Sequence, residues 1–116
     1  PAHKQWYFGK SLDGFTPIGP CIVTADAFAD YPPRLGIRSF VNGEKRQDSN
    51  TALQIFDIDH VIAELSQGMT LKAGTIIATG TPAGVGMGMD PPQFLKPGDV
   101  VRCEIDGIGT LTNPVK

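Results

Sequence analysis

GIRSFVNGEKRQD, residues 36–48, is the stretch on which the fold reading turns. Asn42-Gly43 lies between two runs that read as strands, and both turn residues tolerate positive φ, as a two-residue hairpin requires. The spacing predicts strands over 36–41 and 44–48. Toward the C-terminus a further strand over 101–105 turns at Asp106-Gly107 and returns over 108–111. Toward the N-terminus, 21–24 reads as a short strand. The connection 25–33 comes next, and Pro32-Pro33 excludes helix at its end.

One helix is expected, over 58–67. Ile58, Val61, Ile62 and Leu65 fall at i, i+3, i+4 and i+7, a single apolar face. Asp57 is placed to cap it and Gly68 to end it. After it the chain echoes itself. Leu71-Lys72-Ala73-Gly74-Thr75-Ile76-Ile77 and Leu95-Lys96-Pro97-Gly98-Asp99-Val100-Val101 share one pattern, in which a turn feeds a strand. Two copies are too few for a solenoid. At the other end, Trp6-Tyr7-Phe8 leads into a Gly/Pro-punctuated segment, 9–20, expected to be irregular and docked on a core. The sum is a mostly β, mixed α+β fold with one main helix.

Composition bounds the function. The 116 residues carry 14 Gly and 10 Pro, spaced as turns between apolar runs and not clustered as a disordered tract. A net charge of −2 with no basic stripe gives no pull toward nucleic acid or an anionic membrane. No apolar run approaches a membrane span, and no signal-peptide pattern is visible. Cys21 and Cys103 are far apart in apolar or strand-like contexts. They read as two buried thiols of a cytoplasmic protein, with a disulfide as the alternative.

The richest candidate for ligand binding is TIIATGTPAGVGMG, residues 75–88. The apolar run 75–78 reads as a strand, and it stops at Thr79-Gly80-Thr81-Pro82. Gly84, Gly86 and Gly88 lie just beyond. Glycines at that density let backbone N–H groups approach a ligand, and threonine hydroxyls both donate and accept. The loop reads as a floor for a small anionic ligand.

Other candidates are thinner. Gly9-Lys10-Ser11 is not a phosphate loop, because that pattern needs a glycine where Lys4 stands and a helix after Ser11. Lys10 itself lies between Phe8 and Leu12. Two readings stand for it: a surface lysine with a snorkelling stem, or a lysine in a partly apolar pocket able to stabilise a developing oxyanion. His3 and His60 have no partner at metal-ligand spacing. The scattered aspartates fit turns and caps.

Taken together, residues 9–20, the hairpin 41–51, residues 65–88 and FLKPGDVVRCEIDGIGTLTNPV (94–115) resemble the fumarylacetoacetate hydrolase family, in order and over nearly the whole chain. The combination of TGTPAGVG, LKPGDVV and EIDGIGTLTNPV is far more specific than any short motif above. The resemblance implies a β-roll catalytic domain, a homodimer, and a divalent cation, Mg²⁺ or Mn²⁺. It also implies small 2-oxo acids or their enols as substrates. The reactions it implies are C–C hydrolysis of acylpyruvates, isomerisation of unsaturated dicarboxylates in aromatic degradation, and, as an alternative, decarboxylation of oxaloacetate-like acids.

By the same resemblance Lys10 is the catalytic lysine that stabilises oxygen charge near the substrate carbonyl. Thr81 contacts the substrate carboxylate, and Gly80 permits the close approach. Many members carry threonine four residues after the lysine, where this chain has Gly14. The family's metal ligands, a Glu-x-Glu pair and an aspartate, lie upstream of the lysine segment and none is matched here. The expectation is therefore the C-terminal part of a single catalytic domain, with no metal ligand in residues 1–116. A non-catalytic β-rich module that kept the scaffold is the competing expectation, and the retained Lys10 and intact TGTPAGVG loop argue against it.

Overall fold

A computed structural model describes residues 6–116, so His3 lies outside the described residues. The ladder starts where the sequence places it. β1 (Gly36–Val41) and β2 (Glu44–Asn50) are antiparallel, and the turn between them has Asn42 at φ 52° and Gly43 at φ 84°. Both left-handed values match a turn that continues the strand twist. β3 (Val100–Ile105) pairs on the other side of β1, and β4 (Gly109–Pro114) pairs with β3. The sheet order is β2-β1-β3-β4. With one main helix, this is the expected mostly β, α+β class.

The Asn42 side chain joins hairpin to sheet. Its Oδ1 accepts from the Val100 N–H at 2.9 Å, and its Nδ2 donates to Asp99 Oδ1 at 2.8 Å. Across the sheet, Arg38 donates to Asp106 Oδ1 at 2.8 Å, and the Arg102 guanidinium lies 4.1 Å over the Phe40 ring. Such cross-strand pairs set register as well as adding stability.

The register holds one irregularity. A regular two-residue hairpin pairs Ser39 with Arg46. A bulge between Ser39 and Phe40 instead pairs Ser39 with Gln47 and Phe40 with Lys45, leaving Arg46 as the extra residue. The Arg46 side chain is 17% exposed and hydrogen-bonded to Gln93 Oε1. This bulge fixes which residues face the candidate site.

The helix α2 runs Ile58–Gly68, one residue past its expected end. Asp57 caps it, its Oδ1 accepting from the His60 N–H at 2.7 Å. Of the predicted stripe, Ile58, Val61 and Leu65 are half-buried while Ile62 is exposed. The Tyr31 hydroxyl donates to Asp59 at 2.8 Å and ties the first turn to the preceding segment.

Four expectations need correction. The stretch 21–24 forms no ladder; it is extended chain leading into a short 3₁₀ turn at Ala25–Ala27. The run 75–78 is likewise extended without a ladder. β-Branched residues fit a strand, but a strand exists only where a neighbour supplies hydrogen bonds, and neither run has one among the described residues. Segment 6–20 holds a one-turn helix, α1 (Trp6–Gly9), and is not docked on a core, since Tyr7, Phe8, Phe15 and Ile18 are all exposed. Cys21 and Cys103 are free and exposed, not buried.

These corrections share a cause. The chain exposes 9469 Å², against about 6,100 Å² expected for a compact monomer of this mass. No apolar side chain among the described residues is fully buried, and Ile55 is 92% exposed.

Candidate functional site

Segment 79–84 is attached to the sheet through side chains and close backbone contact, not through a ladder. Gly84 sits at φ 104°, and a Cβ there would run into the Arg46 carbonyl oxygen. Only glycine lets the loop lie against the bulged strand at that point. Gly80 is glycine for another reason. Its φ is 112°, while the space a Cβ would enter is open. The close approach expected of Gly80 toward a ligand is thus sterically unobstructed.

The loop and the connection after β2 enclose a cleft of about 590 Å³. Thr79, Gly80 and Thr81 line one side; Asn50, Gln54 and Val61 are among the residues lining the rest. Local hydrogen bonds aim this wall. Asn50 Oδ1 accepts from the Ala52 N–H at 2.9 Å, capping a 3₁₀ turn at Thr51–Leu53. The Thr51 hydroxyl donates to the Pro33 carbonyl at 2.7 Å and accepts from the Leu35 N–H at 2.9 Å. Gln54 leaves that turn with its Nε2 donating to Thr79 Oγ1 at 3.1 Å.

Thr81 is held from the sheet. Gln47 Nε2 donates to Thr81 Oγ1 at 2.8 Å and to the Pro82 carbonyl at 2.9 Å, while the Ser39 hydroxyl donates to Gln47 Oε1 at 2.8 Å. Both threonines of Thr79-Gly80-Thr81 therefore accept from a glutamine amide. Sequence reading picked out Thr81 and Gly80 and missed Gln47, Gln54 and Ser39. The bulge hides Gln47, because regular pairing puts Arg46 opposite Ser39.

Among the described residues no charged side chain lines the cleft, and Lys10 is not one of its lining residues. Lys10 is exposed, with its N–H donating to the Tyr7 carbonyl at 3.2 Å and its carbonyl accepting from the Thr16 hydroxyl at 3.1 Å. The structure joins Thr81 and Gly80 in one wall and leaves Lys10 outside it. Among the described residues, no three His, Cys, Asp or Glu gather where they could hold a metal ion. The cleft's own donors are hydroxyls, amides and main chain, a poor set for Mg²⁺ or Mn²⁺ without carboxylates. These residues do not by themselves fit a divalent cation. His60 stacks on Phe56, ring centroids 4.7 Å apart, on the exposed side of the helix.

A family profile described as "Fumarylacetoacetate (FAA) hydrolase C-terminal" matches residues 1–116. The chain belongs to the fumarylacetoacetate hydrolase family. Among solved structures, a fumarylacetoacetate hydrolase from psychrophilic Exiguobacterium antarcticum superposes with TM-score 0.90 at 54% identity. The match covers 97% of this chain and 40% of that one. Maleylpyruvate hydrolase from Sphingobium sp. SYK-6, in complex with manganese(II) and pyruvate, gives TM-score 0.80 at 44% identity, covering 92% and 38%. The mitochondrial oxaloacetate tautomerase fahd2 of Xenopus laevis is 52% identical over 112 residues, 97% of this chain and 35% of that protein. The chain thus spans little more than a third of the length of such family members. The fold is the family's C-terminal fold, with the TGTPAGVG loop on its surface.

No helix among the described residues is long and apolar enough to cross a membrane.

Proposed function

We propose that this chain supplies the carboxylate-holding wall of an enzyme that acts on a small 2-oxo acid through its enol form. One observation carries the reading: an uncharged cleft of about 590 Å³ lined by Thr79, Gly80 and Thr81 of one loop. Hydroxyl and backbone donors hold a carboxylate by geometry. They do not offset its charge, and an anion in a cleft without a cation is costly. The balancing charge is assigned to Lys10 and to Mg²⁺ or Mn²⁺ held by residues outside those described. The presence of manganese and pyruvate in the Sphingobium neighbour supports that assignment. In this reading Lys10 is the catalytic residue that stabilises oxygen charge as the enolate forms, and Thr81 with Gly80 binds the carboxylate end.

The chain is read as the C-terminal part of one catalytic domain, in a cytoplasmic homodimer. Its exposed apolar surface and its share of its relatives' length both support a larger packed unit. The reaction is C–C hydrolysis of an acylpyruvate-type substrate, favoured by the maleylpyruvate hydrolase neighbour. The second reading, keto–enol interconversion of an oxaloacetate-like acid, is favoured by 52% identity to an oxaloacetate tautomerase. Both need the same carboxylate wall and the same enolate stabilisation.

The test uses the whole protein with Mg²⁺ or Mn²⁺. Pyruvate release from acetylpyruvate supports hydrolysis, and faster ketonisation of enol-oxaloacetate supports the second reading. Lys10→Ala should lower kcat on the active substrate by about 100-fold or more. Unchanged turnover in that variant would remove Lys10 from the chemistry.

A further inference from the structure

The geometry points to Gln47 as a positioning residue that fixes the Thr81 hydroxyl as a donor aimed into the cleft, and so selects an anionic oxygen there. This rests on the proposal that Thr81 meets a substrate carboxylate.

Hydrogen-bond directions decide the matter. A glutamine amide can turn over, exchanging its oxygen and nitrogen, and its neighbours decide which way it lies. The Pro82 carbonyl, 2.9 Å from Gln47 Nε2, can only accept. The NH₂ end must therefore face Pro82, and the orientation is set. Thr81 Oγ1, 2.8 Å from the same nitrogen, must then accept the second amide proton. Ser39, 2.8 Å from Oε1, must donate. A hydroxyl that accepts from Gln47 has its own proton left for another partner, and no acceptor for it occurs among the described residues. The chain of donors runs Ser39 to Gln47 to Thr81 to ligand, with no freedom to reverse.

Placement makes the device possible. The bulge brings Gln47 opposite Ser39, and Gly84 lets the loop close on β2 so that Thr81 and Pro82 come within reach. The Gln54–Thr79 contact repeats half of the arrangement at 3.1 Å. Among the described residues no second acceptor fixes its amide.

Gln47→Glu in the whole protein tests this with nearly unchanged shape. An ionised carboxylate there can only accept, so it draws the Thr81 proton away from the cleft. Calorimetric binding of pyruvate in the presence of Mn²⁺ should weaken about tenfold, and KM for acetylpyruvate or oxaloacetate should rise similarly with kcat much less affected. Thr81→Val should weaken pyruvate binding to a similar degree. Gln47→Glu added to Thr81→Val should then weaken it much less than Gln47→Glu does alone, by the repulsion between the new carboxylate and the anion only, since the hydroxyl it controls is gone. Equal losses from Gln47→Glu with and without the Thr81 hydroxyl would overturn the inference. So would pyruvate affinity that falls in Thr81→Val and stays unchanged in Gln47→Glu, which leaves the carboxylate contact standing. Unchanged affinity in Thr81→Val itself would overturn both that contact and the relay. If Gln47→Glu does not fold, Ser39→Ala loosens only the amide's carbonyl end. It should weaken pyruvate binding two- to threefold and raise KM more than it lowers kcat, and unchanged pyruvate affinity would overturn the inference.

Discussion

The two Leu-Lys-x-Gly turns are alike in sequence and in conformation, and they lead to different structures. In the first, the Thr75 N–H donates to the Lys72 carbonyl at 3.0 Å with Gly74 at φ 85°. In the second, the Asp99 N–H donates to the Lys96 carbonyl at 3.0 Å with Gly98 at φ 94°. Positive φ at the third turn position is the glycine requirement of a type II turn, and Pro97 fits the second position. Past the turn they part. Residues 100–105 form β3, between two strands, whereas 75–78 stay extended without a ladder.

Anchorage separates them. Asp99 accepts from the Lys96 N–H and from Asn42 Nδ2, each at 2.8 Å, and its carbonyl accepts from the Val115 N–H at 2.8 Å. Gly98 N–H donates to the Val115 carbonyl at 2.9 Å. Thr75, at the position equivalent to Asp99, has none of these partners. Local sequence sets the turn; a neighbouring strand makes the next residues a strand. Without a neighbouring strand among the described residues, segment 75–78 runs on as extended chain into Thr79, Gly80 and Thr81, which line the cleft.

The largest effect should come where the loop that follows touches the sheet. Gly84→Ala puts a Cβ into the Arg46 carbonyl oxygen at a left-handed φ. It should cost roughly 2–4 kcal/mol and displace the Thr81 loop, read as a lowered denaturation midpoint together with loss of pyruvate binding. A fully stable Gly84→Ala protein would break the view that contact, not pairing, holds the loop.

A smaller effect separates the twin turns. Gly74→Ala and Gly98→Ala each meet open space and carry the same backbone strain, about 1–2 kcal/mol. Hydrogen exchange should show the Gly98 change loosening the amides of β3. The Gly74 change should leave β3 untouched, because its own segment carries no ladder. Equal loosening of β3 by both would erase the distinction.

The smallest effect is one of pH. The Asn42 amide and then the Lys96 N–H hold the Asp99 carboxyl below its ordinary range. Lys45 does the same for Asp48 and Arg38 for Asp106. Carboxyls depressed in the folded state add stability that is fully present above their unfolded value of about 3.9 and is lost as pH falls through the folded values. Thermal melts should be flat from pH 7 to about 5 and fall below about pH 4. Asp99→Thr, which makes the second turn resemble the first, should shrink that fall and fray the start of β3.

The hairpin at Asn42-Gly43, the Asp57 cap of α2, both glycine turns and the family were legible in the sequence. Each depends on residues close together in the chain or on a long ordered set of motifs. The glycine cap expected at Gly68 was not formed, since Gly68 is the last helical residue and extended Met69 follows it. The strands expected at 21–24 and 75–78 were not formed, since propensity names a residue's preference and not its partner. Thr81 and Gly80 could be picked out by motif. Their support could not, because a bulge at Arg46 shifts the pairing by one residue and brings Gln47 to Ser39.

Sequence by itself determined the turns, the helix and the kind of chemistry the loop can offer, because φ preferences, capping and hydroxyl chemistry are local properties. Tertiary structure alone decided which apolar runs became strands and which way the Thr81 hydroxyl donates. Ladder pairing and hydrogen-bond direction are set by the groups that lie opposite, and for Thr81 the opposing group is 34 residues away in the chain.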